Sequence, residues 1–444
     1  MFIPQLKQAI YVLTLFGSFC LFSCKSGTLN PFKPASPHEQ YQRKLVSAGL
    51  DKTAMGTAWI NAAISGLQQP LTVKIPFQEQ GYFAAEKVPV AVYRFNATRG
   101  QRLSVRLDKK PVEEFTIYMD LWQLSESGSP KLLSAADTLG NPITLDIEET
   151  GSYLVRLQPE LLRSGAYTLE ITTGPSLGYP ISGKRRDHIQ SFFGDGRDGN
   201  TRKHEGIDLF AARGTPVVAI AEGAVVRVNE NNLGGKVVWM RPKGKNYTLY
   251  YAHLDQQIAV EGQPVKIGDT LGLVGNTGNA KTTVPHLHFG IYTTGGAVDP
   301  LPFLNPVVPK APKIQADLDN LNATLRTSRK TPVYKEMGAG NTPFRSLPAG
   351  TIIQVNGASA EWYRSRLPDG QEVYIQSRNV LSTKTALRTI KLSSAQQQLY
   401  DQPDSLAAVM TSLIAGTSVK VLGSFEGYQL ITAGDSKTGW IKSL

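Results

Sequence analysis

Four of the six histidines in this 444-residue chain fall between positions 204 and 288, close to an aspartate. In His286-Leu287-His288-Phe289 the two imidazoles are two residues apart. That spacing puts them on one face of a strand and on different faces of a helix. In His204-Glu205-Gly206-Ile207-Asp208 a His and an Asp are four apart, so they can share a face or converge from a loop onto a strand. Three ligands of N, O and N type suit Zn²⁺ and leave a fourth position for water. Metal-assisted hydrolysis also needs groups that do not bind the ion, one to take a proton from water and one to support the developing oxyanion. Two imidazoles remain for that work, one within the His-x-His pair and His253 of Tyr251-Ala252-His253-Leu254. The His204 run is not the helical His-Glu-x-x-His motif: position 208 is Asp, and Gly206 is a poor mid-helix residue, so Glu205 is not its general base.

Strands must hold these residues. Val217 to Ile220, Ala224 to Val228, Val237 to Met240, Thr248 to Tyr251 and Leu271 to Val274 read as short strands in a Gly- and Val-rich stretch from about Gly183 to Asn305. Along it come Ser191-Phe192-Phe193-Gly194, His204-Glu205-Gly206-Ile207-Asp208-Leu209, Gly214-Thr215-Pro216-Val217, Glu222-Gly223, Tyr251-Ala252-His253-Leu254, Gly275-Asn276-Thr277-Gly278 and Pro285-His286-Leu287-His288-Phe289. This ordered set resembles the M23 (lysostaphin- or LytM-type) zinc metalloendopeptidases over residues 179–305. The resemblance implies an antiparallel β peptidase domain with one Zn²⁺ bound by His204, Asp208 and His288. It casts His253 and His286 as the non-ligand catalytic histidines and peptidoglycan stems or cross-links as the substrate. Some members of that family have lost ligands and serve as silent activators of wall amidases. All five residues are present here, which favours an enzyme over a silent activator or wall-binding protein. Three departures touch the cleft rim and bear on specificity: Val284-Pro285 where Gly-Pro is usual, Gly290 where Glu is common, and the run Asn279-Ala280-Lys281-Thr282-Thr283. His188 has no counterpart in the pattern and reads as a surface or structural residue.

The rest of the chain reads as address and accessory domains. Both cysteines, Cys20 and Cys24, fall near the start, which excludes a disulfide scaffold, a Cys-ligated zinc finger and a Cys nucleophile in the remainder. The apolar stretch Ala9 to Phe22 is short for a membrane span and ends in Leu21-Phe22-Ser23-Cys24. That ending resembles a bacterial lipobox and implies a signal peptide over 1–23 with lipidation at Cys24. An exported lipoprotein is then expected, anchored by its acyl chains to the membrane, with the outer membrane facing the periplasm preferred because Lys25 follows the cysteine. Residues 24–41 read as a flexible tether with a solvated His38. Residues 42–178 read as one or two helices followed by many short strands, an antiparallel sandwich. Gly151-Ser152-Tyr153-Leu154-Val155 and Gly165-Ala166-Tyr167-Thr168-Leu169 within it resemble the jelly-roll-like pre-peptidase C-terminal family.

Residues 306–328 read as a Pro-rich linker and a short amphipathic helix outlined by Ile314, Leu318, Leu321 and Leu325. Beyond them the chain repeats itself at a constant offset of 66: Tyr334 matches Tyr400, Ala349-Gly350-Thr351 matches Ala415-Gly416-Thr417, Trp362 matches Tyr428, and Tyr374-Ile375 matches Trp440-Ile441. The copies at 329–384 and 385–444 resemble tandem bacterial SH3 (SH3b) domains, which implies small barrels and peptidoglycan as a further ligand. Of the aromatic positions, Trp362 and Tyr374 in the first copy, at least one of each pair is expected in the core of such a barrel. The formal charge of +11 favours anionic partners. Its basic residues are spread along the chain and export removes nucleic acid, so no nucleic-acid partner is expected. The fold expected is mainly β and multidomain.

Overall fold

A computed structural model describes residues 34–183, 188–305, 307–338, 340–393, 396–434 and 437–443. Cys24 and the proposed signal peptide lie outside the described residues. The protein is mainly β. Two helices come first, α1 (Pro37–Ser47) and α2 (Ala54–Gln68). Helix α1 starts where it does because the Ser36 hydroxyl accepts the Glu39 N–H at 3.2 Å and Pro37 occupies the first turn. This corrects the tether, which cannot run to residue 41, and it corrects His38. That side chain is 3% exposed, stacked 4.6 Å from the Trp59 ring, with Nε2 2.6 Å from the Gln158 amide oxygen. A polar, Pro-rich composition gave no sign that one face of the segment would be covered.

Two sheets form the sandwich. One carries Leu71–Thr72, Ala91–Ala97, Gly151–Pro159, Ile117–Leu124 and Pro130–Ala135 in that order. The other contains Phe77–Phe83, Gly165–Pro175, Gln101–Lys110 and Ile143–Asp146, and it does not stop there. Through Gln80 opposite Ala358 and Gly81 opposite Gly357, it continues into Ile352–Ser359, Trp362–Arg366 and Glu372–Gln376 of the first C-terminal copy. The first copy is therefore joined to the sandwich edge to edge. Trp362 and Tyr374 lie in the sandwich core with Phe77, Tyr93 and Tyr167, not in a core of their own copy, which corrects that expectation. A fully buried polar cluster seals the seam. Glu79 accepts from Tyr93 (2.5 Å), Tyr167 (2.7 Å) and Arg364 Nε (3.0 Å), and Arg364 also reaches Glu372 at 3.1 Å.

The second copy keeps a six-stranded sheet of its own and repeats only the aromatic docking. Its strand Ser418–Phe425 stands at the repeat offset from Ile352–Ser359, and Tyr400, Tyr428 and Trp440 pack with Val355 and Tyr363 of the first copy and with Leu325 of the segment leading into it. The expected helix at 314–325 is absent. Leu318–Asn320 makes a single 3-10 turn capped by Asp317, Asn322 takes a positive φ of 61°, and Leu325 pairs with Ile353 in a sheet. Helical spacing of four apolar residues lost to ladder hydrogen bonds and burial on the neighbouring strand.

In chain order, the segment between the sandwich and the repeats builds a ten-stranded sheet from residues 189–298. One of its faces buries Ile207, Leu209, Val238, Met240, Leu249, Tyr251, Leu287, Phe289 and Ile291. The short helix Leu301–Leu304 ties this domain to the sandwich: Phe303 lies against Gly100, where a Cβ would come 2.2 Å from its ring. Lys245 reaches Asp146 (3.0 Å) and Glu148 (3.2 Å) across the same seam, and Arg102 holds Asp146 from the sandwich side.

Candidate active site

The face of the ten-stranded sheet opposite its core carries the chemistry. Asp208 stands directly opposite His288, and His288 opposite Ala252, so strands Ile207–Phe210, His286–Thr293 and Thr248–Gln257 share one register across the site. Alternation along His286–Thr293 sends Leu287, Phe289 and Ile291 into the core and His286 and His288 to the other face, as the two-residue spacing requires. His204 enters from the loop before Ile207. Gly206 makes room for the junction, since a Cβ there would meet the Phe289 carbonyl oxygen at 2.4 Å and the His288 ring at 2.8 Å.

Three side-chain atoms converge. His204 Nε2 is 3.0 Å from Asp208 Oδ1 and 2.9 Å from His288 Nδ1, which is itself 3.0 Å from the same Oδ1. His204 Nδ1 donates to the Phe192 carbonyl at 2.8 Å, and this leaves Nε2 with its lone pair facing the cluster. Burial pushes the Asp208 carboxyl up, but its contacts with His204 and His288 hold it well below the ordinary range. Burial pulls His288 down, against the attraction of Asp208. Donor atoms of two imidazoles and one carboxylate, drawn within hydrogen-bond distance of one another, fit a divalent cation of zinc type.

His253 and His286 lie beside this cluster, their rings 5.0 Å apart and the His253 ring 5.8 Å from His288. His253 should not point here. Ala252 shares the His288 face, so strict alternation would turn residue 253 to the core. A positive φ of 60° breaks the alternation and brings the ring back, with the His253 N–H held by the Gly234 carbonyl at 2.7 Å. Each ring gives its Nδ1 to a backbone carbonyl, His253 to Thr277 and His286 to Val284, both at 2.8 Å. Their Nε2 atoms are thereby left as acceptors. Burial, then the neighbouring His288 and His286, lower the His253 pKa to about 4, so this ring is neutral at neutral pH.

All five sequence-selected residues line one cleft of about 790 Å³. His188 does not line it. Other lining residues carried no spacing signal: Arg197 donates to Asp208 Oδ2 at 3.0 Å and to Ser191, while Trp239, Tyr250 and Tyr292 form an aromatic cluster beside His288. A β-hairpin arginine and three aromatics on three strands reveal themselves only when the strands are paired.

Residues 202–300 match the family model described as Peptidase family M23. An uncharacterized metalloprotease of Haemophilus influenzae is 38% identical over 128 residues, 28% of this chain and 26% of the relative. The peptidoglycan DD-endopeptidase ShyC of Vibrio cholerae is 35% identical over 97 residues, 22% of each chain. The uncharacterized lipoprotein YgeR of Escherichia coli is 37% identical over 103 residues, 23% of this chain and 40% of the relative. The chain thus spans less than half the length of each of these relatives. The matched span contains His204, Asp208, His253, His286 and His288 together, and the chain accordingly carries a peptidase domain of family M23.

Proposed function

We propose that this protein is a zinc-dependent endopeptidase that hydrolyses peptide bonds in the stems or cross-links of peptidoglycan. The observation that carries the reading is the meeting of His204 Nε2, Asp208 Oδ1 and His288 Nδ1 within 3.0 Å of one another, beside two histidines whose Nε2 atoms are unengaged by their own backbone tethers. His204, Asp208 and His288 would hold the ion. When bound, zinc supplies Lewis acidity toward water and carbonyl oxygen. The chain's own residues do the rest. His253 and His286 are the proton acceptor and the oxyanion partner. Their Nδ1 bonds leave Nε2 of each ring facing the cleft as an acceptor, so the ring that supports the oxyanion does so as a donor only after taking up a proton there. Peptidoglycan as the substrate is supported by ShyC, whose name records that activity.

Membrane attachment through lipidated Cys24 belongs to the same proposal and rests on the Leu-Phe-Ser-Cys sequence, with the lipoprotein YgeR as a similar protein. Outer-membrane placement facing the periplasm is the preferred reading, on the ground that Lys25 rather than Asp follows the cysteine.

The test measures bound zinc and cleavage of cross-linked muropeptides side by side. His204→Ala, Asp208→Ala and His288→Ala are expected to lose zinc and activity together. His253→Ala and His286→Ala are expected to keep zinc while activity falls by about 10²–10⁴-fold. A wild-type protein that binds zinc and cuts no muropeptide would sink the enzyme reading in favour of a silent activator.

A further inference from the structure

Beyond the metal cluster the cleft floor continues onto three aromatic rings. Trp239 stands opposite Tyr250 in the sheet register, with ring centroids 4.3 Å apart. Tyr292 lies 5.4 Å from Trp239 and 5.8 Å from Tyr250, and Tyr250 meets His288 edge-on at 5.9 Å. These rings are not part of the domain core. They form a separate cluster on the opposite face of the sheet and line the same cleft as the metal cluster, with Trp239 and Tyr292 half-buried. Gly290 permits the arrangement, because a Cβ at that position would come 2.8 Å from the Tyr292 ring. The position where the family commonly has Glu is thus the one whose bareness lets Tyr292 lie over its strand.

The rim of the shelf is polar. Tyr292 donates to Glu205 Oε2 at 3.3 Å, Tyr250 is hydrogen-bonded to the Asn231 side chain, and Arg202 lines the same wall. Flat rings edged by a carboxylate, an amide and a guanidinium suit a ligand with an apolar face and hydroxyl or acetamido groups around it. The rings are inclined to one another, so each half-buried ring offers its own face, and wall stem peptides, with methyl groups and charged ends, have no flat apolar face to lay on one. A pyranose offers a face of C–H bonds whose partial positive charge meets the negative face of an indole or phenol.

We propose that Trp239 and Tyr292, packed on the buried Tyr250, form a saccharide subsite that holds a sugar of the glycan strand bearing the scissile peptide. The proposal deepens the peptidoglycan reading and rests on it. The shelf starts one ring from His288 and Trp239 lies one ring further, roughly 10 Å out, which is the reach of about three extended residues. A sugar on the shelf and a peptide bond at the metal cluster can therefore belong to one substrate, and the cleft is of a size to take both.

The experiment uses the full soluble chain and the GlcNAc–MurNAc disaccharide without peptide, read by calorimetry and by the NMR signal of the Trp239 indole N–H. Millimolar disaccharide is expected to bind and to shift that signal. Trp239→Ala should weaken binding by about tenfold and Trp239→Phe by less, since the smaller ring still stacks. In parallel, wild-type protein should cleave disaccharide-bearing muropeptide dimers several-fold more efficiently than the same peptides freed of glycan by an amidase, and Trp239→Phe should narrow that ratio. Bound zinc and the unfolding midpoint of each variant report whether it folds. No binding, binding that shifts a different tryptophan, equal cleavage of both substrates, or competition by the freed peptide as strong as by the disaccharide would each overturn the subsite. A protein that binds the disaccharide at Trp239 but cleaves nothing would instead overturn the endopeptidase reading, which keeps the two failures apart.

Discussion

At the scale of single residues the site is set by what holds each donor atom. His204, His253 and His286 each give Nδ1 to a backbone carbonyl, so the backbone chooses the nitrogen that faces the cleft. Asp208 is held from both sides, Oδ1 toward the two histidines and Oδ2 by Arg197. A guanidinium on the far oxygen fixes the carboxylate's rotation and offsets its charge, and loss of such an outer partner commonly costs 10–100-fold in metal affinity or activity. Arg197→Ala is therefore expected to lower zinc affinity by about that factor in a chelator competition, with Arg197→Lys recovering part of it. Lys brings the charge without the planar fork. Unchanged zinc affinity in Arg197→Ala would show that Asp208 needs no second partner.

At the scale of elements, close approach decides. The loop carrying His204 can pass over strand His286–Thr293 only because residue 206 has no side chain. Gly206→Ala places a Cβ against backbone oxygen as well as the His288 ring, and strain of this kind costs about 1–3 kcal/mol. That variant should lose zinc with the ligands themselves intact, while circular dichroism shows a folded domain. Helix α1 gives a second case. Burial, then the charge of Arg156, lower the His38 pKa to about 4, against Asp120 and the Gln158 hydrogen bond, which raise it. An unfolded His titrates near 6.5, so between these values the unfolded chain binds the extra proton. Stability from neutral, buried His38 is complete above pH 6.5 and drains away as pH falls toward 4, by about 3 kcal/mol in all. Urea midpoints measured across that window should fall for wild type and fall less steeply for His38→Gln. Parallel slopes would mean that another group governs the acid limb.

At the scale of the whole molecule each C-terminal copy docks through the same three aromatic positions onto the unit before it. Tyr334, Trp362 and Tyr374 pack on the sandwich core, and Tyr400, Tyr428 and Trp440 pack on the first copy. Duplication copied a docking face along with a fold. Trp440→Ala should then destabilise the first copy although the residue lies in the second, at about 3–5 kcal/mol for a large buried aromatic. Hydrogen exchange of Leu325 and Val355 would report it, and protection unchanged there would contradict the docking. The Glu79–Arg364 pair joins residues 285 apart in the chain, with both side chains almost wholly buried. Glu79→Ala leaves a buried guanidinium short of its main partner and should cost about 3–5 kcal/mol, whereas Glu79→Leu with Arg364→Met should cost much less. Thermal unfolding of the three proteins decides between these outcomes.

The sequence by itself named the candidate donors. His204, Asp208, His253, His286 and His288 could be picked out before any strand was paired because they stand in an ordered set of motifs resembling the M23 peptidases, whereas each spacing taken singly is a weak signal. It also displayed the 66-residue repeat, because duplication leaves identities in register. Tertiary structure alone decided what those residues face. The left-handed turn at His253, Arg197 behind Asp208 and the aromatic shelf on three strands depend on contacts between segments distant in the chain, which no local spacing encodes. The same reason explains His38, whose polar neighbours suggested solvent, and the lost helix at 314–325, whose apolar spacing fitted a helix until strand Ile352–Ser359 offered a ladder. Local pattern names which side chains can do chemistry or be buried. Which face is covered, and by what, is settled only when the sheets close.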